Sequence, residues 1–145
     1  MIKGLVTKKE IEINADVSSV WDALINPKLI KQYLFCTEAI SEWKIGSPII
    51  FRGTWKGKPY EDKALVLKSE RNKILQYAYW TSFYGLEDKV ENYCNITYEL
   101  IGDGRSTLIG ITQDNIDTPE MFNRISQSWQ TGLKELKETV EKRAD

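Results

Sequence analysis

The hydropathy pattern of this chain turns helical for its last stretch at Thr118-Pro119. Beyond that point Phe122, Ile125, Trp129, Leu133, Leu136 and Val140 recur every third or fourth residue, while Lys134, Glu135, Lys137, Glu138, Glu141 and Lys142 share the opposite face. This spacing predicts one long amphipathic helix. Thr118 reads as its cap and Pro119 as its first helical residue, where a missing N–H costs nothing. The helix must bury its stripe against the chain that precedes it, and most of that chain alternates with a period of two.

Thr7, Lys9, Ile11 and Ile13 fall on one side of a strand running from about Val6 to Asn14. Asp16 or Ser18 can then cap a short helix carrying Val17, Val20, Trp21 and Leu24. Asn26-Pro27 ends it and opens a second short helix with Leu29, Ile30, Tyr33 and Leu34. Strand-like runs come next in series. Cys36 to Trp43 reads as a strand or an extended segment, and Pro48 to Trp55 alternates cleanly, with Ile49, Phe51, Gly53 and Trp55 on one face. Tyr60 to Ser69, Lys73 to Thr81, Glu91 to Ile101 and a last run from Thr107 to Gln113 complete the set. Lys56-Gly57-Lys58-Pro59, Glu70-Arg71-Asn72 and Gly102-Asp103-Gly104 read as turns. Strands joined this tightly argue for an antiparallel meander, because parallel neighbours need long crossovers. The fold class is α+β in a single domain over residues 1–145, with no internal repeat or linker.

Three stretches carry a family resemblance. Ile13-Asn14-Ala15-Asp16-Val17-Ser18-Ser19-Val20-Trp21-Asp22-Ala23-Leu24 followed by Asn26-Pro27 is similar to the opening of the START-like (SRPBCC) superfamily, with Asp16 where proline is frequent. Ile96-Thr97-Tyr98-Glu99-Leu100 with Gly104, Thr107, Ile109 and Ile111 resembles its late hairpin. Trp129-Gln130-Thr131-Gly132-Leu133-Lys134-Glu135-Leu136-Lys137 resembles its terminal helix. Together they point to the branch named after the C-terminal domain of the activator of heat-shock protein 90 ATPase. The resemblance implies the helix-grip fold, in which a curved antiparallel sheet of six or seven strands wraps a long C-terminal helix. It does not imply one activity, since the superfamily includes lipid carriers, hormone receptors, cyclases and co-chaperones.

Composition removes several chemistries. There is no histidine, which excludes Ser-His-Asp and Cys-His catalysis and His-ligated metals. Twenty basic residues face twenty-one acidic ones, so no positive field exists to draw nucleic acid. Cys36 and Cys94 lack metal or redox spacing and read as a reduced pair. The first residues show no leader pattern and no run is apolar enough to span a bilayer, so a cytoplasmic location without membrane insertion is expected. No cofactor, metal site or catalytic residue is assigned.

A sheet curved around one helix leaves room between them, so an apolar pocket of roughly 300–1,000 Å³ is expected. The candidate lining is Phe51, Trp55, Tyr77, Tyr79, Ile96, Tyr98 and Ile111 from the sheet, with Phe122, Ile125 and Trp129 from the helix. Taken singly, each could instead be ordinary core. Gln113 shares a face with Ile109 and Ile111 and reaches either the pocket mouth or water. Glu61 with Asp62, and Glu87, Asp88 and Glu91, sit in turn-rich surroundings beside lysines and read as solvated charge. The aromatic run from Tyr79 to Gly85 is expected to gate a pocket or meet a partner. The functions open to such a chain are binding of a hydrophobic small molecule, a chaperone-directed interaction module, or a cofactor-free cyclase or hydrolase.

Overall fold

The computed structural model describes residues 4–34 and 36–144; the start of the chain at residues 1–3, on which the reading of a missing leader rests, lies outside them. Strand β1 (Leu5–Ile13) leads into helices α1 (Val17–Ile25) and α2 (Pro27–Tyr33). Strands β2 (Glu38–Ile40), β3 (Pro48–Trp55), β4 (Lys58–Glu70), β5 (Ile74–Trp80), β6 (Cys94–Gly102) and β7 (Thr107–Ile116) come after them, and helix α3 (Pro119–Ala144) closes the chain. All strands join one antiparallel sheet in the order β1-β7-β6-β5-β4-β3-β2. The fold expected from sequence is therefore the fold observed.

Local chemistry explains the boundaries. Asn26 accepts a bond from the Lys28 backbone N–H at 3.0 Å and Pro27 begins α2. Thr118 caps α3 by accepting from the Met121 N–H at 3.1 Å. Asp16 stands at the start of α1 but its side chain bonds the Ser19 hydroxyl rather than the backbone. The β3–β4 turn is tighter than the four residues expected. Only Lys56 and Gly57 stand outside the strands, both with positive φ (50° and 80°), which suits the twist of a two-residue hairpin. The β2 strand is also shorter than the run from Cys36 to Trp43.

Alternation along the strands sends one face inward. Ile49, Phe51, Ala64, Val66, Leu75, Tyr77, Ile96, Tyr98, Ile109 and Ile111 are buried there. Helix α3 crosses this face, packing most closely along β1 and meeting α1 and α2. Its lower residues Leu133, Leu136 and Val140 join Val20, Leu24, Ile30 and Tyr33 in a continuous core. Gly102 lets this end close. A Cβ there would come within 2.8 Å of the Val17 Cβ, closer than side chains approach.

Candidate functional site

Above that core the helix and sheet part to leave a pocket of about 270 Å³. Every strand from β3 to β7 contributes to its wall, through Phe51, Asp62, Tyr77, Tyr79, Ile96 and Gln113. Helix α3 supplies Met121, Arg124, Ile125, Ser128 and Trp129, and Leu34 and Thr37 close the side beyond α2. The remaining wall is a short 3-10 turn after β5, Ser82–Tyr84, which brings Phe83 and Tyr84. Thr81 caps this turn through a bond from the Phe83 N–H, and Gly85 ends it with φ of 73°. The Trp80 indole N–H, donated to the Leu86 and Glu87 carbonyls, pins the loop beyond the turn.

The aromatic rings form a connected array. Phe51 lies 5.9 Å from Tyr77 and 6.0 Å from Tyr79 between centroids. Tyr79 meets Tyr84 at 6.4 Å, and Tyr98 meets Trp129 edge-on at 5.9 Å. These tilted and edge-to-face contacts match the charge distribution of aromatic rings. Gln113 ties the array together and is 1% exposed. Its Oε1 accepts the Trp129 indole N–H at 2.7 Å, while its Nε2 donates to the Tyr84 hydroxyl at 3.0 Å and the Cys94 sulfur at 3.3 Å. Burial pushes the Cys94 thiol up to about 12 and raises the Tyr84 and Tyr79 hydroxyls as well, so these groups are neutral donors and acceptors at ordinary pH.

Asp62 corrects the reading of its acidic neighbourhood as solvated. Glu61 is exposed, but Asp62 is 5% exposed and faces the pocket. Strand phase decides this: Asp62, Ala64 and Val66 point inward, leaving Leu65 and Leu67 on the outer face. Asp62 Oδ2 accepts the Tyr79 hydroxyl at 2.6 Å, and Oδ1 is buried with no partner. Burial raises the carboxyl above its usual value; the Tyr79 and Thr81 hydroxyls oppose that shift, although Thr81 makes no bond to Oδ1. The second acidic group stays at the surface, where Asp88 pairs with Lys63 at 2.9 Å and accepts the Tyr93 hydroxyl.

Of the residues expected to line a pocket, Phe51, Tyr77, Tyr79, Ile96, Gln113, Ile125 and Trp129 do so. Four lie elsewhere. Trp55 has the inward phase but is the last residue before the hairpin turn, past the cover of α3, and is 49% exposed. Tyr98 and Ile111 face each other one inward pair below Ile96 and Gln113, and that step takes them into the filled core. Phe122 sits on the flank of α3, roughly a quarter turn from the face centred between Ile125 and Ser128, and is half-buried. Gln113 is a buried hub rather than a residue at the mouth. Asp62, Met121 and Leu34 were legible only through strand or helix phase; Thr37 carried no comparable signal.

Among the described residues no three His, Cys, Asp or Glu side chains converge to hold a metal. No described helix is long and apolar enough to cross a membrane.

A curved seven-stranded antiparallel sheet gripping a C-terminal helix defines a START-like (SRPBCC) protein. The chain belongs to the family of Activator of Hsp90 ATPase homolog 1-like proteins, whose profile matches residues 14–141. It is similar to a solution structure from Cytophaga hutchinsonii, with 38% identity over 99% of both chains and a TM-score of 0.84. A crystal structure from Mesorhizobium loti shares the fold at 19% identity, covering 97% of this chain and 99% of the other, with a TM-score of 0.80. So does the Aha1 dimer from Colwellia psychrerythraea, at 17% identity, 94% and 96% coverage and a TM-score of 0.76. No curated protein matches the sequence.

Proposed function

We propose that residues 1–145 form one domain of a cytoplasmic protein and bind a hydrophobic small molecule between the sheet and α3. The observation that carries this reading is the aromatic-walled pocket beneath the N-terminal half of α3, whose polar groups are largely fixed by one another. A wall held by its own bonds keeps its shape without a guest, so little ordering opposes binding. Phe51, Tyr77, Tyr79, Ile96, Ile125 and Trp129 would contact the apolar body, with Gln113, Tyr84 and Asp62 at its polar edge. Burial of apolar ligand surface contributes roughly 25 cal/mol per Å².

The volume of about 270 Å³ falls just below the roughly 300–1,000 Å³ usual for ligand sites. It suits a compact aromatic metabolite better than a two-chain lipid. Catalysis by paired carboxylates has less support, because Asp62 is the sole acidic residue among the described residues of the wall.

Native mass spectrometry of freshly purified protein, followed by titration with an environment-sensitive aromatic dye, tests the proposal. Saturable dye binding is expected, and it should be lost in Ile125→Trp, which fills the pocket. A dye that fails to saturate, or that binds Ile125→Trp as well as the parent, overturns the reading.

A further inference from the structure

The pocket contains one unmet demand. Asp62 Oδ1 is buried on the wall with no hydrogen-bond partner, while Oδ2 is already taken by Tyr79. Among the described residues no hydrogen bond reaches Oδ1, although the Thr81 hydroxyl lies close enough to act on the carboxyl and the Tyr84 hydroxyl, which accepts from Gln113, keeps its own proton. The Gln113 amide is committed to Tyr84 and Cys94, and the Trp129 N–H is committed to Gln113. Arg124, the cationic residue of the lining, is exposed and forms no ion pair with Asp62. Buried acceptors in native proteins are rarely left this way, and one on the wall of a pocket is a point where a guest's donor can be recognised.

We propose that Asp62 sets the specificity of this pocket by accepting a hydrogen bond from a donor head group, hydroxyl or amine, on an aromatic ligand. This rests on the ligand-binding reading above and narrows it. The same carboxylate repels a carboxylate head, so fatty acids and aromatic acids are excluded guests. The faces of the surrounding rings suit either head, since they pack against an apolar body and attract a cation.

The test is a calorimetric titration with four probes that share one ring system: 2-naphthol, 2-naphthylmethylamine, 2-methoxynaphthalene and 2-naphthoate. The wild type is expected to bind at least one donor probe about 10- to 100-fold more tightly than the ether or the acid, the effect of one hydrogen bond to a charged group. Which donor probe binds tighter identifies the head. Asp62→Leu, which removes both acceptor oxygens, should erase that preference while still binding the ether. Asp62→Asn, which keeps the shape and removes the charge, should admit 2-naphthoate, and this second variant decides the matter if the first does not fold. Ether or acid binding as tightly as naphthol and the amine overturns the role of Asp62 but leaves the pocket a binding site. If none of the four probes binds, the ligand-binding reading falls together with it.

Discussion

The two ends of the sheet's concave face are built from the same strands and differ in what covers them. At the lower end α1, α2 and the second half of α3 converge, and Leu24, Ile30, Tyr33, Leu133, Leu136 and Val140 fill the space. The gap among them beside Tyr33 and Tyr98 is about 10 Å³, and a cleft of about 180 Å³ lies at the flank between Ser19, Leu29, Val140 and the exposed Arg143. Even the Tyr33 hydroxyl is matched, donating to the Ala23 carbonyl at 2.7 Å. At the upper end α3 alone crosses the sheet, and about 270 Å³ stays open. The boundary falls between two neighbouring inward pairs of β6 and β7: Tyr98 with Ile111 below, Ile96 with Gln113 above. The lower end is thus a close-packed interior, and the upper end is a frame stiffened by hydrogen bonds in place of packing.

The sharpest way to break this contrast is to delete side chains at both ends. Leu136→Ala, at a site 1% exposed, is expected to cost about 2–5 kcal/mol in denaturant unfolding. Phe83→Ala, at a rim residue 49% exposed, should stay within about 0.5 kcal/mol. Equal costs would mean that the upper end is packed as tightly as the lower.

A smaller effect probes the hydrogen-bonded frame. Gln113→Leu keeps the bulk but strips the Trp129 indole N–H of its acceptor and takes the donor from the Tyr84 hydroxyl. A loss of about 1–3 kcal/mol is expected, with a change in tryptophan fluorescence as the indole relaxes. An unchanged midpoint and spectrum would show that the network contributes nothing to the frame.

The smallest effect is the pH response of Asp62. Burial raises its carboxyl, so the native state holds that proton more tightly than the unfolded chain. Its contribution is complete below the unfolded value of about 4 and is lost as pH rises through the higher native value. Relative to Asp62→Asn, which does not titrate, the wild type should therefore gain stability between pH 7 and about pH 4. Paired urea melts of the two proteins read the sign of this gain. A difference that stays constant across that range would remove burial as the governing term.

The architecture was legible because it rests on periodicity and punctuation, which are local. Asn26-Pro27, Thr118-Pro119 and the alternation of β3 and β7 each act within a few residues of themselves, and all appear in the structure where the sequence put them. The site was legible in part. Phase identifies a residue's face but not its height along the strand, so Trp55, Tyr98 and Ile111 share the inward face with Phe51 and Ile96 without sharing their surroundings. Asp62 misleads for the opposite reason: its charge and its neighbours Glu61 and Lys63 outweigh a strand phase that points it inward.

By itself the sequence determined the order of elements, the inward face of strands such as β3, β6 and β7, and the family, all set by residue spacing. Only the tertiary structure decided where the interior is filled and where it stays open, and which carboxylate is buried within it. Those outcomes depend on how far α3 and the two short helices reach across the sheet. That reach is a matter of distance between segments remote in sequence, and no local pattern encodes it.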